Sequence, residues 1–225
     1  MVEPLIKVEH LTKIFSDSLS EYKALDDISF KVQSSEILGI SGPSGSGKTT
    51  LLSIIGCLEK PTSGSITLFG ENVEKLDDKT LSNIRLNHIG FIFQEHNLIP
   101  ALTVQENILL PLTLSKKDPK GNKKKVRELL EKVGLSQLEE RYPSQLSRGQ
   151  RQRIAAIRAL VNDPKIILAD EPISDLDPDN SEILLAFFKE LNEKKGTTII
   201  IGATNPEDFK GNTHRTIRIV EGRLI

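Results

Sequence analysis

Tryptophan is absent from this 225-residue chain, cysteine occurs once, and aromatic residues make up only 4%. The single cysteine, Cys57, excludes an internal disulfide and makes a reducing cytoplasm the expected setting. No apolar run approaches the ~20 residues that a membrane-crossing helix needs. The first residues also lack the basic-then-apolar pattern of a signal peptide. Work at a membrane would therefore need a span supplied by another chain. Charge of one sign is not in excess either: 30 Lys and Arg against 31 Asp and Glu leave a net charge of −1. That balance points away from nucleic acid as a partner, because it provides no bulk positive charge. No internal repeat or low-complexity tract is present.

What the chain does have is length for one sizeable α/β domain, with room for an inserted subdomain. Short apolar segments bounded by Ser, Gly, Asp and Asn predict strands over 5–8, 28–32, 36–40 and 65–69. The third of these runs into a glycine-rich loop, followed by a buried helix over 49–58. From about 98 to 161 the pattern turns helical. Thr103 and Glu106 form a capping-box pair, and Pro111 is expected to end the short helix they start. A charged amphipathic helix follows over 123–133, stopped by Gly134. The lysine-rich stretch 116–125 contains Asp118, Pro119, Gly121 and Asn122, so it reads as a solvated loop leading into that helix. An apolar strand over 166–169 ends in acidic residues. Asp177-Pro178 then opens a helix with Ile183, Leu184, Phe187, Phe188 and Leu191 on one face, up to Gly196. Strands over 197–201 and 216–220 complete the chain. Strand–helix alternation on both sides of a helical middle predicts a parallel-sheet core carrying a helical insertion.

Gly42-Pro43-Ser44-Gly45-Ser46-Gly47-Lys48-Thr49 fits the G-x-x-x-x-G-K-[ST] phosphate loop in full, with a strand before it and a helix after it. Such a loop turns successive backbone N–H groups toward phosphate oxygens, and the helix start adds a partial positive charge. Ser44, Gly45, Ser46, Gly47, Lys48, Thr49 and Thr50 are the candidate contacts. Lys48 can reach the β- and γ-phosphates, and the Thr49 hydroxyl can serve Mg²⁺. A plain Gly/Ser surface turn would have no reason to carry Lys-Thr at that offset. The loop alone does not separate kinases, GTPases and motor ATPases. Asp170 and Glu171 end the apolar strand over 166–169, at the edge where ligands bind in parallel sheets. Asp170 is the candidate holder of Mg²⁺ through water, and Glu171 the candidate general base for an attacking water. Ser147 and Gln150 form a second capping box, and a capped helix start also offers N–H groups, a hydroxyl and positive charge to an anion.

Taken together, these residues resemble the nucleotide-binding domain of an ABC transporter. Leu146-Ser147-Arg148-Gly149-Gln150 is similar to the family's LSGGQ signature. The order of motifs also matches over nearly the whole chain: phosphate loop, Phe93-Gln94-Glu95, signature, acidic strand end, then Ser174-Asp175-Leu176-Asp177. The resemblance implies a P-loop α/β fold with an N-terminal antiparallel β subdomain. Residues 1–95 and 162–225 would form the nucleotide-binding core and 96–161 an inserted helical subdomain. It implies hydrolysis of ATP to ADP and phosphate, with Mg²⁺, in a head-to-tail dimer of this chain with itself or with another ATP-binding subunit. Ser147, Gly149 and Gln150 of one subunit would seal ATP held by the other. Gln94 would ligate Mg²⁺ and sense the γ-phosphate, and Phe15 would stack on adenine, although a core Phe at a strand end reads the same in sequence. The loop 174–177 would pass between the two sites. The work would be done on a separate transmembrane permease, with this chain attached to the cytoplasmic face of the membrane.

Finer likeness lies in Ile55 to Pro61, Gly90 to Gln94 and Asn97 to Pro100, which resemble the macrolide-exporter and lipoprotein-releasing ATPases. In that subgroup, dimer closure is expected to work the membrane partner mechanically. Two positions depart from the family pattern. Arg148 replaces the usual glycine of the signature. Thr204, or Asn205 with a one-residue shift, stands where a γ-phosphate-contacting histidine is usual, and neither can carry its positive charge. A regulatory subunit with little turnover is the alternative these departures raise. His10, His88, His96 and His214 read as structural or exposed. A soluble relative in DNA repair would be expected to carry coiled coils, zinc sites or tandem domains, and none is present.

Overall fold

Residues 37–41, 166–170 and 198–203 are buried along their whole length, as expected of parallel strands covered on both faces. The structure, a computed structural model, describes residues 3–16, 20–116, 119–174, 176–209 and 211–225, without the side chains of 119–121. Asp118 and Asp175 therefore lie outside the described residues. The chain opens with β1 (Ile6–Ser16), β2 (Glu21–Val32) and β3 (Ile37–Ser41), followed by α1 (Lys48–Ile55), β4 (Ser63–Leu68) and β5 (Glu71–Asn72). Then come α2 (Asp78–His88), β6 (Ile89–Ile92), α3 (Val104–Leu114), α4 (Pro119–Lys132) and α5 (Arg148–Leu160). It closes with β7 (Ile166–Asp170), α6 (Pro178–Lys195), β8 (Thr198–Ala203), β9 (Arg215–Val220) and β10 (Arg223–Leu224).

The strands form two sheets, an antiparallel one ordered β2-β1-β4-β5 and a larger one ordered β10-β9-β3-β8-β7-β6. In the larger sheet only the β9–β10 pair is antiparallel. Because strand side chains alternate between faces, each central strand feeds two cores. Ile37, Ile167, Ala169, Ile199 and Ile201 join the helical side with Ile108, Ile154, Leu184 and Phe188. Leu38, Ile40, Ile166, Leu168 and Ile200 join the other side, with Leu51 and Ile54 of α1 and Ile6 and Leu11 of β1. The parallel sheet is thus the middle layer, between helices and the antiparallel sheet.

Three local expectations are corrected. Pro111 lies inside α3, which runs on to Leu114. Leu112 beyond it is buried, and Asn162 Nδ2 donates to the Pro111 carbonyl at 3.2 Å, so packing carries the helix past the missing N–H. The lysine-rich stretch is largely helical, because α4 begins at Pro119, a residue type suited to a first turn whose N–H groups lack partners anyway. Ile183 is exposed, since the buried stripe of α6 is Leu184, Phe187, Phe188 and Leu191. The capping box of Thr103 and Glu106 forms as expected, as does the Asp177 cap of α6.

The loop between β6 and α3 is organised by one buried amide. Asn107 Oδ1 accepts from Ile99 N at 2.8 Å, and Nδ2 faces the carbonyls of Ile99, Leu102 and Thr103 at 3.0–3.1 Å. Truncation would strand these groups away from water. Asn107→Ala is expected to lower stability by about 2 kcal/mol in urea unfolding, with amide exchange rising in 97–103 before the rest of the chain.

Candidate active site

Helix α1 differs from its neighbours in how it starts. Side chains of Asp77, Thr103, Ser147 and Asp177 cap α2, α3, α5 and α6, whereas α1 begins at Gly47 with no side-chain cap. Its first-turn N–H groups and positive end are left for an external acceptor. Gly47 holds φ 107°, and a Cβ there would come within 2.4 Å of the Ala24 carbonyl oxygen, so only glycine lets the loop pass this close to β2. Lys48 is 4% exposed. Its Nζ donates to the carbonyls of Gly42 at 2.7 Å and Pro43 at 3.1 Å, spanning the loop, and stands 3.5 Å from Glu171 Oε1.

Strand register brings the acidic residues to this loop. Ser41 pairs with Ala203 and Asp170 with Gly202, so β3, β8 and β7 end side by side. Thr49 Oγ1 donates to Asp170 Oδ2 at 2.6 Å. Asp170 Oδ1 is buried with no hydrogen-bond partner. Burial pushes this carboxyl above its ordinary range, the Glu171 charge adds to the rise, and the Thr49 hydroxyl and Lys48 oppose it. Gly202 leaves the space: a Cβ there would sit 3.3 Å from both Asp170 Oδ1 and Leu52 Cδ1. Glu171 takes a left-handed φ of 45°, which turns it off the strand, and its N–H donates to Gly202 O at 2.9 Å. Its Oε1 accepts from Thr204 Oγ1 at 2.7 Å. Beside this pair opens a cleft of about 760 Å³, bordered by Ser174, Leu176, Lys189, Asn205 and Asp208. Burial, then the charge of Glu171, raises the Asp208 carboxyl as well, opposed by the Asn205 backbone hydrogen bond.

Lys48 with Glu171, Thr49 with Asp170, and Thr204 with Glu171 are therefore in direct contact. Asn205, the other candidate for the histidine position, caps the next turn by accepting from Glu207 N at 3.1 Å. Gln94 is exposed two residues past β6, whose Ile92 pairs with Ala169, at the same sheet edge. Phe15 is 42% exposed, not a core residue, and lies directly across the β1–β2 ladder from Tyr22. Ser147, Gly149 and Gln150 are not part of this constellation. Ser147 Oγ accepts from Gln150 N at 3.3 Å, and Gln150 Oε1 accepts from Ser147 N at 2.8 Å. His214 is structural, its Nδ1 accepting from Ile37 N at 2.8 Å. Tyr22 lies in β2 ahead of residue 28, where the apolar pattern predicts the strand to start. Its hydroxyl donates to the Gly45 carbonyl at 2.8 Å.

The orphaned oxygen of Asp170 and the Thr49 hydroxyl are oxygen donors that suit Mg²⁺, with the exposed Gln94 at the same sheet edge. Among the described residues no group of three or more His, Cys, Asp and Glu is arranged to hold a metal, so phosphate and water oxygens would complete the shell. The folded state holds the Asp170 proton more tightly than the unfolded state, so this group's contribution to stability falls as pH rises through and above the ordinary carboxylate range. Asp170→Asn is expected to raise the melting temperature at pH 7 and to flatten the pH dependence of melting between pH 4 and 7. Thermal scans across that range check both.

Comparisons with known proteins bear on the fold and the family. The family model described as ABC transporter matches residues 25–174. The ABC transporter ATP-binding protein YvrO of Bacillus subtilis is 42% identical over 221 residues, 98% of this chain and 96% of its own length. The methionine import ATP-binding protein MetN of Haemophilus influenzae is 41% identical over 98% of this chain and 64% of its own. The macrolide export ATP-binding/permease protein MacB of Hyphomonas neptunium is 38% identical over 100% of this chain and 35% of its own. Among solved structures, the dimeric post-hydrolysis state of the ATP-binding cassette MJ0796, bound to ADP and Pi, matches with a TM-score of 0.92 and 37% identity, covering 97% of this chain and 96% of that one; MJ0796 is a protein of Methanocaldococcus jannaschii. With fold, motif order and these matches in accord, the chain belongs to the ABC transporter family of ATP-binding proteins.

Proposed function

We propose that the chain binds Mg-ATP across the phosphate loop and hydrolyses it at Glu171, in a head-to-tail dimer that drives a membrane permease. The observation that carries this reading is the contact chain at one sheet edge, in which Lys48 and Thr204 flank Glu171 while Thr49 holds Asp170 beside the uncapped start of α1. The backbone of 44–47, with Thr50 behind it, encloses the phosphates. An ammonium has three donors; Lys48 commits two to loop carbonyls and faces Glu171 at 3.5 Å, so an incoming β- or γ-phosphate would take the third donor over from that carboxylate. A magnesium ion bound by Thr49, Asp170 and Gln94 would offset phosphate charge.

Thr204 takes up a task different from that of the family's histidine. Its hydroxyl donates to Oε1 of Glu171 and fixes that oxygen, leaving the other for the water proton. As the water oxygen bonds to the γ-phosphorus, its proton passes to Glu171 and the bond to the β–γ bridging oxygen breaks, releasing ADP and phosphate. Turnover without histidine is consistent with this arrangement, and a non-hydrolysing regulatory chain is not the reading we favour.

Ser147 uses its oxygen as an acceptor within its own capping box, so the hydroxyl proton stays available to a nucleotide held by a second subunit. Gly149 and Gln150 complete that surface. The divided site is the reason for the dimer. In this reading 96–161 is a helical subdomain inserted between 1–95 and 162–225. Among the described residues no helix is long and apolar enough to cross a membrane. We place the chain at the cytoplasmic face, with the permease seated on the apolar groove of about 400 Å³ lined by Leu58, Phe91, Phe93 and Leu114, since Phe93 adjoins Gln94. Relatives named for import and for export both match nearly the whole chain, so the direction of transport is assigned to the permease.

Hydrolysis per subunit is expected to rise steeply with protein concentration. Glu171→Gln should lower it by at least ~100-fold while keeping ATP binding. Turnover independent of concentration would defeat the shared site. Thr204→Val is expected to lower kcat roughly ten-fold with little change in KM, and Thr204→Ser to restore most of it; steady-state kinetics of both variants decide whether the hydroxyl matters.

A further inference from the structure

Tyr22 lies outside the phosphate loop and the acidic strand end, and none of the motifs includes it. Its ring is 55% exposed, too open to serve the core. Two observations place it at the nucleotide site. Its hydroxyl donates to the carbonyl of Gly45 at 2.8 Å, a side-chain contact from the antiparallel sheet to the crest of the phosphate loop. A Cβ added at Gly45 would meet nothing within 4 Å, so the loop is open on that side. Tyr22 also faces Phe15 across a regular stretch of the β1–β2 ladder, with Ile14↔Lys23 and Ser16↔Glu21 as the flanking pairs. Directly opposed residues in an antiparallel pair project from the same face, with Cβ atoms ~5 Å apart.

The Phe15 ring is itself held in place. Lys13 Nζ lies 4.7 Å from its centroid, anchored by Glu59 Oε1 at 2.8 Å and the Lys60 carbonyl at 2.9 Å. A cation covers one region of the Phe15 π-surface while the ring stays partly open, and the neighbouring open ring on the same face is Tyr22. Two adjacent aromatic surfaces next to a phosphate loop suit the flat, apolar face of a purine.

We propose that Tyr22 is a second nucleotide-contacting aromatic and a positioning residue. With Phe15 it forms a two-ring ledge for the base, and through its hydroxyl it holds the Gly45 carbonyl toward β2 and away from the phosphates. The inference rests on the ATP-binding reading above and adds a residue and a base-recognition role to it. A carbonyl turned inward would set a negative dipole against the phosphates.

The chain has two tyrosines and no tryptophan, so in a Tyr142→Phe background its ultraviolet emission comes from Tyr22 alone. Tyr142 stands at the start of a short 3₁₀ turn and, among the described residues, makes no hydrogen bond to the phosphate loop or the acidic strand end. Mg-ATP is expected to quench that emission and inorganic tripolyphosphate, which has no base, to leave most of it. By calorimetry, Tyr22→Phe should weaken ATP and tripolyphosphate alike, by about five-fold, through loss of the hydroxyl contact. Tyr22→Leu should add a further loss, again about five-fold, for ATP only. Unchanged Tyr22 emission at saturating ATP, with Tyr22→Leu shifting ATP and tripolyphosphate equally, would overturn the ledge. A wild-type chain that binds tripolyphosphate and ATP with the same affinity would overturn base recognition as a whole, while Lys48→Ala losing both ligands would still uphold the phosphate site.

Discussion

Ile199 stands in register between Ile37 of β3 and Ile167 of β7, and from that rung outward every functional group finds its place. A slip of one residue in β7 or β8 would send the apolar set of each strand to the opposite face, and both faces are occupied by cores that fit only one alternation. It would also move Asp170 off the level of Gly202, and Thr204 off the level of Glu171. The packing that holds the middle layer together is therefore the same constraint that sets hydroxyl-to-carboxylate distances at its edge. Stability and chemistry are joined through register, and a core substitution in β8 is felt at the site even though it touches nothing there.

A second consequence of this plan is that the chain carries two unlike halves of one reaction. The loop and carboxylates lie at the sheet edge, while the signature is a capped helix start with its side chains committed to each other. Ser147 and Gln150 close their own capping box, which keeps α5 stable alone and still leaves a hydroxyl proton to donate. In the proposed reading, the half that binds is complete in one chain, and the half that seals would come from another.

Much of this was legible in the sequence because the information is local. The phosphate loop, the acids after an apolar strand, and the caps at Thr103, Ser147 and Asp177 each depend on residues a few positions apart. What could not be read depends on partners far along the chain. Helix α2 buries only Leu81 and Ile84, too sparse a stripe for periodicity to reveal. Pro111 stays helical because Asn162, some fifty residues on, meets its carbonyl. Tyr22 matters because the strand starts earlier than its apolar pattern suggests, and because the loop it grips is brought there by tertiary folding. Thr204 was visible only as a missing histidine, and its bond to Glu171 gives that absence a physical content.

The pairing of Lys48 with Glu171 has one more implication. A buried ammonium facing an empty cavity would attract any small anion at hand. Here the cation already has an internal counter-ion and two carbonyls, so an arriving phosphate must compete for it instead of filling a void. Free inorganic phosphate, with no base to hold and no second phosphate to chelate, is poorly equipped for that exchange. In the proposed reading, the same carboxylate would give Lys48 back a partner each time a phosphate leaves.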